Sequence, residues 1–131
     1  MIKFLEKHLK ISVFILLIIS FVIFYVSSLT FENDVPGPQL SIKPLLYHFS
    51  VFFLFGLLLM ICLVRGRDKE LFSLAIVLSL GYALLDEFHQ IFVPNRSASI
   101  GDILVDGAGI MFAFLVYFII LSYRGEKIFR S

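Results

Sequence analysis

Acids and imidazoles recur at helical spacing in the second half of this sequence. Asp86, His89 and Gln90 occupy positions i, i+3 and i+4, which lie on one face of a helix. Asp102 and Asp106 are likewise four residues apart. Carboxylates and imidazoles act together in general acid–base catalysis, and the same groups bind divalent cations. These residues are therefore candidates for a catalytic or ligand-binding site.

His48 and Arg96 extend this candidate site. His48 is an isolated histidine within an apolar stretch, and the planar guanidinium of Arg96 suits a phosphate or carboxylate through two hydrogen bonds. We predict ligand-binding roles for Gln90 and Asp106 and catalytic roles for six residues: His48, Asp86, Glu87, His89, Arg96 and Asp102. Their spacing matches no particular metal strongly enough to assign one, so the metal and any cofactor stay open.

The composition indicates that lipid surrounds these residues. The chain has 131 residues, of which 60% are hydrophobic and 16% charged, whereas soluble domains have roughly 45–50% apolar and about 25% charged residues. Its mean hydropathy is +0.98. A soluble globular protein is therefore excluded, and the net charge of +1 gives no support for nucleic-acid binding. The single cysteine, Cys62, excludes an intrachain disulfide.

Four stretches of the sequence are long and apolar enough to cross a bilayer, which takes about 20 residues. They cover approximately residues 11–29, 45–64, 71–93 and 103–123. The predicted fold class is all-α, a polytopic membrane protein with four transmembrane helices in one domain over residues 1–131. Residues 1–28 also resemble a cleaved signal peptide, but their apolar run exceeds the roughly 7–15 residues of a signal-peptide core, so retention is favoured.

The basic residues predict the orientation of these spans. Only Lys43 and Arg96 lie in the first and third connections. Because basic residues concentrate on the cytoplasmic side, both termini are predicted to be cytoplasmic and residues 86–102 to face outward. The nine other basic residues lie at the two termini and in the second connection: Lys3, Lys7, Lys10, Arg65, Arg67, Lys69, Arg124, Lys127 and Arg130.

In this topology the polar residues fall at one depth. His48 and Asp106 each lie three residues inside the outer end of a span, and Asp86 to Gln90 occupy the last two turns before Pro94. At about 1.5 Å per residue, all of them lie within roughly 10 Å of the outer surface. We therefore predict one outward-open polar pocket. Gly109 and Ala113 are small residues one turn apart, which predicts a close helix contact.

Each candidate also has a structural interpretation. Asp86 and Glu87 are also interpretable as interfacial acids that pair with Arg96. Asp102 follows Ser99 at capping-box spacing, so its acid also suits the first turn of a helix. His48 also fits a neutral, hydrogen-bonded core residue. Asp106 is harder to explain in this way, because an ionised carboxylate inside a membrane needs a partner.

The run from Tyr82 to Ser99, YALLDEFHQIFVPNRSAS, followed by Asp102, closely resembles the signature of the VanZ-like family of small polytopic membrane proteins. His48-Phe49 and Ser27-Ser28 are similar to further elements of that pattern, and the resemblance covers about residues 20–115. It adds Tyr82 and Ser99 to the predicted ligand-binding residues. The sequence departs from the family pattern at Leu45, where a lysine is common, and at Asp106, where an asparagine is expected.

The resemblance implies a role at the cytoplasmic membrane of a prokaryote. The founding member is associated with resistance to the glycopeptide teicoplanin, which acts on a lipid-linked cell-wall precursor, but the family has no settled biochemical activity. One hypothesis is a pocket that binds or shields an envelope lipid or a lipoglycopeptide. Another is an enzyme that modifies a lipid head group by acid–base or metal-assisted chemistry. Whether a reaction is catalysed stays open, as does the oligomeric state.

Overall fold

The computed structural model describes residues 1–30, 42–66, 70–96 and 98–124, and within these ranges the chain is helical without strands. Four of the helices are long and apolar enough to cross a membrane. The protein is therefore an all-α, multi-pass membrane protein, as its sequence predicts. The helices are α1 (Ile2–Lys7), α2 (Leu9–Ser27), α3 (Ile42–Val64), α4 (Leu71–Gln90) and α5 (Ile100–Tyr123).

The third connection differs from its predicted bounds by three residues on each side. Helix α4 ends at Gln90 rather than Val93, because the chain turns before Pro94 and Asn95 adopts a left-handed conformation with φ 62°. Helix α5 begins at Ile100 rather than Ile103. Ser99 caps it, since its backbone is extended and its Oγ accepts a hydrogen bond from the Asp102 N–H at 3.4 Å.

Helices α3 and α5 form the most extensive contact of the bundle. Gly109 is buried against the α3 backbone so closely that a Cβ there would lie 2.5 Å from the Phe49 carbonyl oxygen. One turn further along α5, Ala113 is fully buried and packs beside Gly56. The predicted helix contact at Gly109 and Ala113 is therefore confirmed, and it sets the distance between these two helices.

Helix α2 lies at the edge of the bundle. It has the highest mean hydropathy of the four spans, 2.7, yet only 11% of its span is buried. Ile23 is its main contribution to the core, where it joins a cluster with Phe52 and Ala83. Large apolar side chains such as Phe14 and Phe21 point away from the bundle. Most of the α2 surface therefore faces lipid.

A hydrogen-bonded network, here called the Glu6 network, closes the end of the bundle that carries α1. The Glu6 carboxylate accepts hydrogen bonds from the Tyr117 hydroxyl at 2.7 Å and from Arg124 Nη1 at 2.8 Å. Tyr117 in turn accepts the Gly66 N–H at 3.1 Å. The network thus joins α1 to the last turns of α5 and to the end of α3. Hydropathy alone does not predict α1, which is only six residues long.

Candidate functional site

The opposite end of the bundle, where α2 and α4 end and α3 and α5 begin, holds most of the buried polar side chains. We call this region the polar end. The ionisable and amide side chains among them come from three helices, although each helix is apolar enough to span a membrane. The buried ionisable and amide residues there are His48 on α3, Asp86, Glu87 and Gln90 on α4, and Asp106 on α5.

His48 and Asp106 form a buried pair at the centre of the polar end. Their Nδ1 and Oδ1 atoms are 3.0 Å apart, and the two residues are 5% and 0% exposed. A carboxylate only accepts hydrogen bonds, so His48 donates from Nδ1 and its Nε2 remains available as a base or a ligand. Asp106 Oδ2 has no hydrogen-bond partner among the described residues. Asp106 thus gives His48 a buried carboxyl partner.

Glu87 links α4 to the start of α5. Its Oε2 accepts the Ser99 N–H at 2.9 Å, while its Oε1 is buried and unpartnered within the described part of the chain. In a capping box, the acid at the third helical position would accept that N–H from the cap residue. Here Glu87 takes this role in place of Asp102. The Ser99 cap is therefore present, but the Asp102 carboxylate is not needed to complete it.

Three residues from three different helices converge at this point. His48, Glu87 and Asp102 each offer one nitrogen or oxygen atom, and these atoms lie within 4.8 Å of one another. One imidazole and two carboxylates are a donor set for a divalent cation. Helical spacing alone groups Asp86 with His89, whereas the structure brings Glu87, not Asp86, to His48.

Asp86 and Gln90 form a separate part of the polar end. Gln90 Nε2 donates to Asp86 Oδ2 at 3.0 Å, and both residues are buried. This contact follows directly from their i, i+4 spacing on α4. Tyr82, one turn earlier, donates to the Ser20 carbonyl oxygen at 2.7 Å and stacks on Phe55. Tyr82 therefore joins α4 to α2 through its hydroxyl group.

His89 and Arg96 hold the end of α2. His89 Nε2 is 3.0 Å from the Ser28 hydroxyl, and its ring packs against Phe24. Arg96 donates to the carbonyl oxygens of Val26 at 3.2 Å and Leu29 at 3.3 Å. Cationic groups at a helix C-terminus satisfy its last carbonyl groups and favour its dipole. His89 and Arg96 thus position α2 beside the polar end.

The side chains of Tyr47 and Ser28 lie at the polar end but were not among the predicted site residues. The Tyr47 hydroxyl is buried without a hydrogen-bond partner among the described residues, and its ring contacts that of His48 edge-on. Ser28 is the partner of His89. The sequence signal for Ser28 was its position in the serine pair Ser27-Ser28 after the first span. The sequence signal for Tyr47 was only its position next to His48.

An apolar groove of about 360 Å³ runs between the first turns of α3 and α5. Phe49 and Val105, two of its lining residues, directly adjoin His48 and Asp106 in the sequence. Leu45, one of the positions singled out in the sequence, also lines it. The lining residues are Ile42, Leu45, Leu46, Phe49, Val105 and Ala108.

Comparison with known proteins identifies the family. A sequence model described as VanZ/LLP1 matches residues 11–121, which include all four spans except the outermost residues of the first and last. No curated protein and no solved structure matches the chain. The chain belongs to the VanZ/LLP1 family.

Proposed function

We propose that this multi-pass VanZ/LLP1 family member binds the head group of a cell-envelope lipid, or of a lipophilic glycopeptide, in an outward-facing pocket at the polar end. The observation that carries the proposal is the burial of His48, Glu87 and Asp106 within spans. An ionisable residue costs about 2.5–3.5 kcal/mol for insertion at the centre of a span and less near its end, and such residues usually line binding sites or ion paths. Three of them at one level favour a site.

The apolar groove supports a lipid as the ligand. Its lining is apolar and includes Phe49 and Val105, the sequence neighbours of His48 and Asp106. A lipid that placed an acyl or prenyl chain in this groove would bring its head group to the polar end. A polar solute would gain nothing from such a groove, because burying apolar surface contributes only when the ligand is itself apolar.

The proposed location is the cytoplasmic membrane of a prokaryote, with the polar end outward. Nine of eleven Lys and Arg residues lie at the termini and the second connection, which favours both termini in the cytoplasm. Lipid-linked cell-wall precursors and glycopeptides meet at the outer surface. A pocket that binds either of them there would contribute to teicoplanin resistance by shielding the precursor or retaining the drug.

The His48–Asp106 pair favours a second candidate function, chemistry on the bound head group. A histidine whose Nδ1 is held by a carboxylate presents Nε2 as a general base, and Glu87 Oε1 lies in the same cluster as an unpartnered carboxyl oxygen. The substrate class would be a lipid-linked envelope precursor. Catalysis would be of the acid–base or metal-assisted type.

Native mass spectrometry of the protein purified with its lipids tests the proposed binding. We expect a co-purifying envelope lipid that is lost in the isosteric variant Glu87→Gln. The matched control is Glu70→Gln, which makes the same change at an exposed acid next to the other end of α4. Equal lipid content in both variants, or no bound envelope lipid in the parent protein, would refute the proposal.

Mass spectrometry of whole-cell envelope lipids then separates binding from catalysis. A binding protein leaves the covalent structures of the lipids unchanged, whereas an enzyme creates a new lipid species that disappears in His48→Ala. Teicoplanin protection is measured in the same cells. If the polar end acts in resistance, we expect both His48→Ala and Glu87→Gln to lose protection while their levels in the membrane stay normal.

A further inference from the structure

We infer that His48, Glu87 and Asp102 form a binding site for a divalent transition-metal cation, with Zn²⁺ as the preferred ion. The inference goes beyond the proposed function and does not depend on it, because cation binding is measured without any lipid. It rests on three features of the polar end: the distances among the donor atoms, the unpartnered oxygen of Glu87, and the orientation of His48.

The distances suit a cation after only a small closure. The three donor atoms lie within 4.8 Å of one another, so one point lies within about 2.8 Å of all three, compared with Zn–N and Zn–O bonds of about 2.0–2.2 Å. Side-chain rotations that move each donor atom by less than about 1 Å would close this difference. The donors come from α3, α4 and the first turn of α5, so a bound cation would join three helices.

Glu87 is the donor that most needs a partner. The residue is 2% exposed, and its Oε1 has no hydrogen-bond partner among the described residues. Its Oε2 is fixed by the Ser99 N–H at 2.9 Å, which leaves Oε1 as the free donor of this carboxylate. A buried carboxylate oxygen without a partner is destabilising, and a cation would satisfy it.

His48 is oriented as a metal-ligating histidine usually is. Such a histidine donates its other ring N–H to a carboxylate or carbonyl group, which fixes the tautomer and raises the basicity of the ligating nitrogen. Asp106 accepts from His48 Nδ1 at 3.0 Å in a fully buried position. Nε2 is therefore the nitrogen left to bind a cation, and Asp106 is a positioning residue.

The charges of the polar end favour a cation over an anion. Three carboxyl groups, those of Glu87, Asp102 and Asp106, lie next to the buried imidazole of His48. Carboxylates crowded in a medium of low polarity repel one another strongly, and a divalent ion relieves this repulsion. Zn²⁺ accepts both imidazole and carboxylate ligands, while Mg²⁺ prefers oxygen ligands only, so the mixed donor set favours Zn²⁺ over Mg²⁺.

Isothermal titration calorimetry of the purified full chain tests the inference after chelator treatment, with ZnCl₂, MnCl₂ and MgCl₂ as separate titrants. We expect one Zn²⁺ per chain, weaker binding of Mn²⁺ and no binding of Mg²⁺. Asp106→Asn is expected to lower the Zn²⁺ affinity about 10- to 100-fold through the loss of orientation. Glu87→Gln and Asp102→Asn remove a donor and should lower it further.

Two histidine variants provide matched comparisons. His48→Ala should abolish binding, whereas His89→Ala should retain it, because His89 contacts Ser28 rather than the three donors. The spectrum of Co²⁺-loaded protein adds a direct readout of the ligands and should change in Asp102→Asn. If His48→Ala is misfolded by circular dichroism, the isosteric Glu87→Gln and Asp102→Asn variants carry the test.

Three outcomes would overturn the inference: no Zn²⁺ binding by the parent protein, unchanged affinity in both Glu87→Gln and Asp102→Asn, or equal loss in His89→Ala. Lipid binding is measured separately after chelation. Lipid retained by a protein that binds no Zn²⁺ refutes the cation site alone, while Zn²⁺ binding without lipid refutes the proposed function alone.

Discussion

The contact of Gly109 with α3 predicts a large effect from adding a single methyl group. In Gly109→Ala the new Cβ would lie 2.5 Å from the Phe49 carbonyl oxygen and 3.1 Å from the Phe53 nitrogen, where ordinary contacts begin at 3.4 Å. Both neighbours are backbone atoms, so no side-chain rotation relieves the clash. Helices α3 and α5 must therefore separate by about 0.5–0.9 Å, and overpacking of this kind costs about 1–3 kcal/mol.

The same separation would disturb the polar end. Phe49 adjoins His48 in the sequence, and Gly109 lies almost one turn after Asp106, so the two contacts move together. The His48–Asp106 distance of 3.0 Å would lengthen to about 3.5–3.9 Å, beyond the range of a hydrogen bond. Zn²⁺ affinity should then fall together with the stability of the fold.

Equilibrium unfolding in mixed micelles, followed by circular dichroism, measures the effect. Gly81→Ala and Gly107→Ala are the matched controls, because a Cβ at residue 81 meets nothing within 4 Å and one at residue 107 makes an ordinary contact at 3.8 Å. All three variants gain the same helix propensity of about 1 kcal/mol, so their difference isolates the clash. Equal stability of Gly109→Ala and both controls would refute the close α3–α5 contact.

Three further predictions concern other parts of the chain. Tyr117→Phe removes a hydrogen bond from Glu6 and should cost about 1–3 kcal/mol in the same unfolding assay. Tyr123→Phe, at a 90% exposed residue, should leave the stability unchanged. Equal effects of the two variants would contradict the Glu6 network. A reporter fused after Ser131 should be active only in the cytoplasm, and external activity would reverse the predicted orientation. Arg96→Lys should leave membrane insertion intact but reduce teicoplanin protection, since lysine lacks the fork that reaches the carbonyl groups of Val26 and Leu29; full protection would show that this contact is dispensable.

The sequence predicts the spans and the depth of the polar residues well. Hydropathy and length are sufficient to locate four helices, and the rise per residue then puts His48, Asp86 and Asp106 at one level. Contacts within one helix, such as Asp86 with Gln90, follow from spacing alone. The family signature is also a property of the sequence, and the match over residues 11–121 confirms it.

Contacts between helices were less predictable, because helix rotation depends on packing. The close approach at Gly109 fixes how α5 faces α3, but no spacing rule reveals which α4 residue then meets His48. Glu87, not Asp86, does so, and His89 faces Ser28 on α2. Helix α1 is too short for a hydropathy signal, and its Glu6–Arg124 contact spans 118 positions of the chain.

The uneven hydropathy of the spans has a consequence for biosynthesis. Helix α2, with a mean hydropathy of 2.7 and few buried residues, can insert from the translocon into the bilayer without partners. Helix α4, with a mean hydropathy of 1.7 and the two acids Asp86 and Glu87, is the least suited to insert by itself. When α4 emerges from the ribosome, His48 is already in the membrane, but Ser99 and Asp106 are still inside the ribosomal exit tunnel. Chains that are released before α5 is synthesised should therefore expose uncompensated carboxylates to lipid and become substrates for membrane quality-control proteases.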